Sequence, residues 1–95
     1  MTAIMVFTRE RVRDQAEYAT YGGLAAATLA GHDVTPLAVY GVCETLEGPP
    51  VETAVILKFA DVAAARAWYD SPSYQAAVKH RFAGADFRVF IIEGV

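Results

Sequence analysis

The run Ala3-Ile4-Met5-Val6-Phe7 is apolar at every position. A strand with a core on one side and water on the other alternates apolar with polar residues, because successive side chains point to opposite faces. Here Ala3, Met5 and Phe7 share one face while Ile4 and Val6 share the other, so neither face suits water. The pattern recurs later in the chain. In Thr53 to Phe59, Ala54 and Ile56 oppose Val55, Leu57 and Phe59, and in Phe87 to Ile92, Val89 and Ile91 oppose Phe90 and Ile92. A sheet made of these strands needs a cover on both faces.

Working outward, the segments between the strands read as helices. Asp14, three residues before Glu17, has the form of a capping box and predicts a helix from about Gln15. Its apolar positions Tyr18, Tyr21, Ala25 and Leu29 recur at helical spacing, and Gly31 supplies a left-handed stop. Gly22 and Gly23 each cost about 1 kcal/mol of helix propensity, which predicts close packing against a neighbouring backbone. Thr35 to Leu46 reads as a second strand entered through Pro36, and Glu47-Gly48-Pro49-Pro50 as the turn into Thr53 to Phe59. Asp61 is a natural N-cap for a helix carrying Val62, Ala65, Trp68 and Tyr69. Ser71-Pro72 restarts that helix with Tyr74, Ala77, Val78 and Phe82 as its stripe, until Gly84 closes it before the last strand.

The order β-α-β-β-α-β predicts an α+β, ferredoxin-like fold: a four-stranded antiparallel sheet with helices on one face. Two helices cover only one face. The other is expected to meet a second copy of the chain, giving a homodimer with apposed sheets.

Ninety-five residues fit one domain, residues 1–95, and 55% hydrophobic with 20% charged residues is the reverse of a disordered composition. A net charge of −3 with only 8 Lys and Arg, none clustered, gives no footprint for nucleic acid. No apolar run nears the roughly 20 residues of a membrane helix, and no secretory pattern opens the chain, so no membrane partner is expected. The single Cys43 forms no intrachain disulfide, which fits a cytoplasmic setting, and its apolar surroundings predict a small core residue. There is no phosphate-binding glycine loop, nucleophile elbow or catalytic carboxylate pair. His32, His80 and Cys43 do not have ligand spacing, so neither metal nor cofactor is expected.

Arg81 is the most informative charge, because it falls among Tyr74, Ala77 and Val78 on its helix. Two readings stand: a buried pair with Asp86 across the Ala83-Gly84-Ala85 connection, or a guanidinium at a cavity that orients a carboxylate or enolate. His80 lies off the apolar stripe and reads as solvated. His32, just past a helix end, reads either as a dipole partner or as a group beside a pocket. Tyr18, Tyr21, Tyr40, Trp68, Tyr69 and Tyr74 carry polar tips on apolar bodies, a set that serves either core packing or a cavity with a few polar groups. The expected cavity is lined by Tyr18, Tyr40, Trp68 and Arg81, with His32 near its mouth.

Several of these pieces resemble a known family. Asp14-x-x-Glu17-Tyr18, Leu46-Glu47-Gly48, the block Ala65 to Ala77 with Trp68-Tyr69-Asp70-Ser71-Pro72-Ser73-Tyr74-Gln75 at its centre, Arg81, and Ile92-Glu93-Gly94-Val95 are similar to the domain of unknown function 1330 family. The resemblance implies a dimeric α+β barrel. That superfamily spans cofactor-free monooxygenases, muconolactone isomerases, polyketide cyclases, haem enzymes and binding modules, so the fold alone names no reaction. Where many members look like Arg-Gly-Gly in the second strand, this chain has Tyr40-Gly41-Val42. The expected activity is cofactor-independent proton transfer on a small metabolite, of isomerase, cyclase or lyase type. Tyr40 or His32 would move the proton, Arg81 would stabilise developing negative charge, and Tyr18 and Trp68 would bind the ligand. The alternative is a non-catalytic ligand-binding or accessory dimer module.

Overall fold

The computed structural model describes residues 1–95. The elements are β1 (Ala3–Val12), α1 (Gln15–Ala25) with a 3-10 turn (Ala26–Leu29), β2 (Val34–Val39), β3 (Thr53–Phe59), α2 (Val62–Tyr69), α3 (Pro72–Gly84) and β4 (Ala85–Glu93). The strands form one antiparallel sheet in the order β2-β3-β1-β4, so the sequence order and the ferredoxin-like α+β architecture agree.

Register places Ala3, Met5 and Phe7 beside Phe59, Leu57 and Val55, all on the face that the helices cover. Trp68 from α2 and Tyr74, Ala77 and Val78 from α3 complete this core. On the opposite face Ile4, Val6, Ile56, Phe90 and Ile92 lie side by side with no helix over them. Phe90 is 50% and Ile92 57% exposed, which is the uncovered second face that the strand pattern requires.

Helix ends follow their sequence signals. The Asp14 carboxylate accepts from the amides of Ala16 and Glu17, Asp61 from Ala64, and the Ser71 hydroxyl from Tyr74. Glu17 departs from the capping-box expectation. Its carboxylate meets His80 Nδ1 at 2.7 Å, joining α1 to α3, so His80 is half-exposed and paired rather than freely solvated. The close backbone approach is made by Gly84, not by the α1 glycines. A Cβ there would stand 2.7 Å from the Tyr18 amide nitrogen and 2.9 Å from the Asp14 carbonyl oxygen. The Gly84 carbonyl accepts from Arg13 and Asp14 amides at 2.7 and 3.0 Å, locking α3 onto the start of α1. Around Gly22 and Gly23 there is open space.

Two strand boundaries differ from expectation. β1 continues through Val12 because β4 offers it a partner throughout, across a bulge between Arg9 and Arg11. β2 stops at Val39 rather than Leu46. Beyond it, β3 has only Ala54 and Thr53 left to pair, and past the next two residues come Pro50 and Pro49, which have no amides to donate. The Tyr40 amide still donates to the Ala54 carbonyl, after which the Thr53 hydroxyl takes the Gly41 carbonyl and the chain leaves the sheet. Cys43 lies on this excursion and is exposed, so it is not a core residue.

The Arg81–Asp86 pair does not form. Asp86 sits opposite Arg11 in the sheet and binds Arg11 Nε at 2.6 Å and Arg13 Nε at 2.8 Å. Those bonds hold its carboxyl below the usual carboxylate range. Arg13 also donates to the carbonyls of Phe82, Ala83 and Ala85, satisfying the end of α3. Arg81 points the other way, into the aromatic core.

Candidate functional site

Between the helix-covered face of the sheet and the α1–3-10 segment lies a cavity of about 160 Å³. Of its 13 lining residues 11 are hydrophobic, so it selects for an apolar body. Phe7, Val55 and Leu57 form its floor, Tyr21, Gly22 and Leu29 one wall, and Pro36, Val39 and Tyr40 the side toward β2. Gly22 matters here: a Cβ at that position meets nothing within 4 Å, so the absent side chain keeps the wall open. An engineered apolar cavity of about 150 Å³ takes one benzene ring, which sets the scale of what fits.

Trp68 reaches the cavity from α2 and is 2% exposed. Its indole Nε1 donates to the Thr28 hydroxyl at 3.0 Å, and Thr28 donates in turn to the Ala25 carbonyl, so the 3-10 turn is tied to α2 beside the cavity. Phe7 meets the indole edge-on, while Phe59 stacks on it at 5.9 Å.

Tyr40 stands where β2 ends, with φ at +54°. A non-glycine residue there carries a backbone cost of about 1–3 kcal/mol, sustained by the hydrogen bonds on either side of it. Tyr40 is 45% exposed, and the phenol's pKa is raised above the ordinary tyrosine value, first by its partial burial and then by the Tyr18 hydroxyl. It is therefore a protonated donor at neutral pH. Behind it, Arg9 Nη1 donates to the Tyr18 hydroxyl at 3.4 Å and Arg9 Nε to Glu52 at 2.9 Å, so Tyr18 is tied through Arg9 to the surface.

Of the residues expected at the cavity from the sequence, Tyr40 and Trp68 line it. Tyr18 is one layer out, beside Tyr40, stacked on Tyr21 and tilted against Phe87. Arg81 is not in the wall; it lies behind it, with its guanidinium carbon 5.4 Å from the Tyr21 ring and 5.0 Å from the Phe87 ring. His32 follows the 3-10 turn, its amide bonded to the Leu29 carbonyl at 3.1 Å, and takes no part in the wall. Tyr21, buried and bonded through its hydroxyl to Tyr74 at 2.9 Å, is a wall residue whose partnership no sequence spacing signals, since the two lie on different helices. A second hollow, of about 210 Å³, touches Val89 and Phe90 from opposite faces of β4 and is a notch around the sheet edge. No three His, Cys, Asp or Glu side chains come together in the fold, and no helix is long and apolar enough to cross a membrane.

The fold is shared with solved structures. A protein of unknown function from Rhodopseudomonas palustris matches with a TM-score of 0.74 at 23% identity, over 99% of this chain and 82% of that one. A dimeric protein of unknown function and ferredoxin-like fold from Bacteroides fragilis matches with a TM-score of 0.64 at 11% identity, over 98% and 96%. SnoaB, a cofactor-independent oxygenase from Streptomyces nogalater, matches with a TM-score of 0.56 at 14% identity, over 99% and 91%. At these identities the likeness shows the fold alone. No curated protein matches the sequence. The family model for the domain of unknown function DUF1330 matches residues 2–95, and the chain belongs to that family.

Proposed function

We propose that residues 1–95 act as one domain of a homodimer that binds a compact, mainly apolar ring compound and moves a proton on it without a cofactor. The observation that carries this reading is the contrast within the cavity: an apolar wall of single-ring size, with the protonated phenol of Tyr40 as the polar group on its β2 side. A neutral phenol in such a place donates a hydrogen bond to a carbonyl oxygen and acts as a general acid as negative charge develops there. Tyr18, backed by Arg9, lies beside that phenol, Trp68 contributes to the apolar wall, and His32, which follows the 3-10 turn, is the second candidate to move the proton. The dimer reading rests on the uncovered apolar face of Ile4, Val6, Ile56, Phe90 and Ile92, and the dimeric Bacteroides fragilis relative of like fold is consistent with it.

The test combines binding with turnover. Small lactones, cyclic ketones and aromatic acids are titrated while the fluorescence of Trp68, the only tryptophan, is followed, and bound compounds are then incubated and examined by NMR for isomerisation, cyclisation or elimination. Turnover that falls about 100-fold or more in Tyr40→Phe supports the acid role. Turnover unchanged in Tyr40→Phe and His32→Ala contradicts it. One observation favours a second reading, a binding module without chemistry: the wall contains no carboxylate or imidazole to serve as base. Tight binding with no turnover of any bound compound decides for that reading.

A further inference from the structure

Arg81 is 3% exposed and takes part in no ion pair with a carboxylate. A buried guanidinium is ordinarily matched by an anion, because desolvating a lone charge is costly. Here the surroundings are the faces of Tyr21, Phe82 and Phe87, each within 5.4 Å of the guanidinium carbon, and one hydroxyl, that of Tyr74, to which Nη1 donates at 3.0 Å. Burial raises the Tyr74 phenol above its ordinary pKa, so it stays protonated and supplies no counter-charge.

Counting protons in this cluster leaves one over. The Tyr21 and Tyr74 oxygens lie 2.9 Å apart and share a single proton, yet the two phenols carry two. Arg81 fixes which one is left. By donating into the Tyr74 oxygen it makes that hydroxyl the stronger donor, so Tyr74 donates to Tyr21, and hydrogen bonds in such a chain reinforce one another. The remaining O–H belongs to Tyr21, which has no other hydrogen-bond partner and is one of the residues that line the cavity.

We infer that Tyr21 is an oxygen-binding residue of the cavity, charged as a donor by Arg81 through Tyr74, and that the ligand's ring carries a carbonyl or phenolic oxygen that takes on negative charge in the site. This rests on the cavity being a ligand site. Arg81 then acts as a positioning residue: it does not touch the ligand, and its charge reaches it through two phenols. It also supplies a cation that the cavity wall itself lacks. An enolate or phenolate suits this arrangement, because the charge appears on an oxygen that enters as part of a neutral, apolar molecule.

The probes are 4-(trifluoromethyl)phenol and its methyl isostere 4-(trifluoromethyl)toluene, followed by fluorine NMR. Both should bind, and the phenol should ionise on the protein at a pH about one unit lower than in Tyr21→Phe, a tenfold shift in its ionisation. Tyr74→Phe keeps the Tyr21 hydroxyl but cuts the relay, and should leave the probe bound while losing most of the shift. Binding of both compounds with the same phenol ionisation in wild type, Tyr21→Phe and Tyr74→Phe overturns the inference and leaves the cavity reading intact. Failure of both compounds to bind overturns the cavity reading and the inference with it.

Discussion

Arg81 donates to the Tyr74 hydroxyl across 3.0 Å, and that phenol is its one hydrogen-bond partner in the core. The pair sits at positions i and i+7 of α3, two turns apart on one face, both almost wholly buried. Removing the hydroxyl therefore leaves a buried donor unmatched. Tyr74→Phe should lower the free energy of unfolding by about 1–3 kcal/mol in urea titration. Arg81→Met, which removes the charge and keeps the apolar stem, should cost less than Tyr74→Phe. A Tyr74→Phe variant as stable as the wild type would mean the guanidinium is solvated.

Asp86 belongs to a surface cluster with Arg11 and Arg13, so its loss should be mild. Its carboxyl is depressed in the folded state, so its stabilising effect is present above the unfolded carboxylate pKa and fades as the pH falls through the folded value. The melting temperatures of wild type and Asp86→Asn should differ slightly at neutral pH, converge in strong acid, and converge also in high salt. A large drop at neutral pH that salt does not alter would restore a buried role for Asp86.

The glycines divide by their surroundings. Gly84→Ala drives a Cβ to 2.7 Å from the Tyr18 amide and should destabilise by about 1–3 kcal/mol. Gly23→Ala meets open space within α1 and should stabilise by about 0.5–1 kcal/mol. Thermal unfolding of the two variants checks the pair of opposite signs.

The open sheet face yields a further test. Phe90→Lys and Ile92→Glu place charges in the uncovered patch without touching the core. Light scattering should give twice the chain mass for the wild type and the single-chain mass for the variants. A wild-type protein that is monomeric at micromolar concentration would leave the apolar face without the cover argued for it.

Much of this architecture was readable in the chain because it depends on local signals. Asp14, Asp61 and Ser71 each announce a helix start by a carboxylate or hydroxyl that caps free amides, and the doubly apolar β1 announces a two-sided sheet. Tyr40 and Trp68 were legible as cavity residues because an aromatic body with a polar tip at an element's end or inner face is suited to one. What depends on register was not legible. Asp86 pairs with Arg11 because β4 lies antiparallel to β1 with those residues opposed, while Asp86's nearness to Arg81 along the chain says nothing of where either points. The role of Tyr21 is hidden for the same reason, since its hydroxyl finds Tyr74 across 53 residues. Cys43 looked like core because its stretch continues a strand pattern, which Tyr40 breaks by turning the chain out of the sheet.

The central claim is that the cavity beneath α1 holds a ring compound, and Gly22 offers the most direct test. Gly22 lines the cavity and a Cβ there meets nothing within 4 Å, and a leucine also improves helix propensity, so Gly22→Leu should fold and should narrow the site. Calorimetric titration of wild type and Gly22→Leu with 4-(trifluoromethyl)toluene compares the two directly. Saturable binding of one molecule per chain to the wild type, lost in the folded variant, is the predicted result; equal binding by both, or none by the wild type, would contradict it.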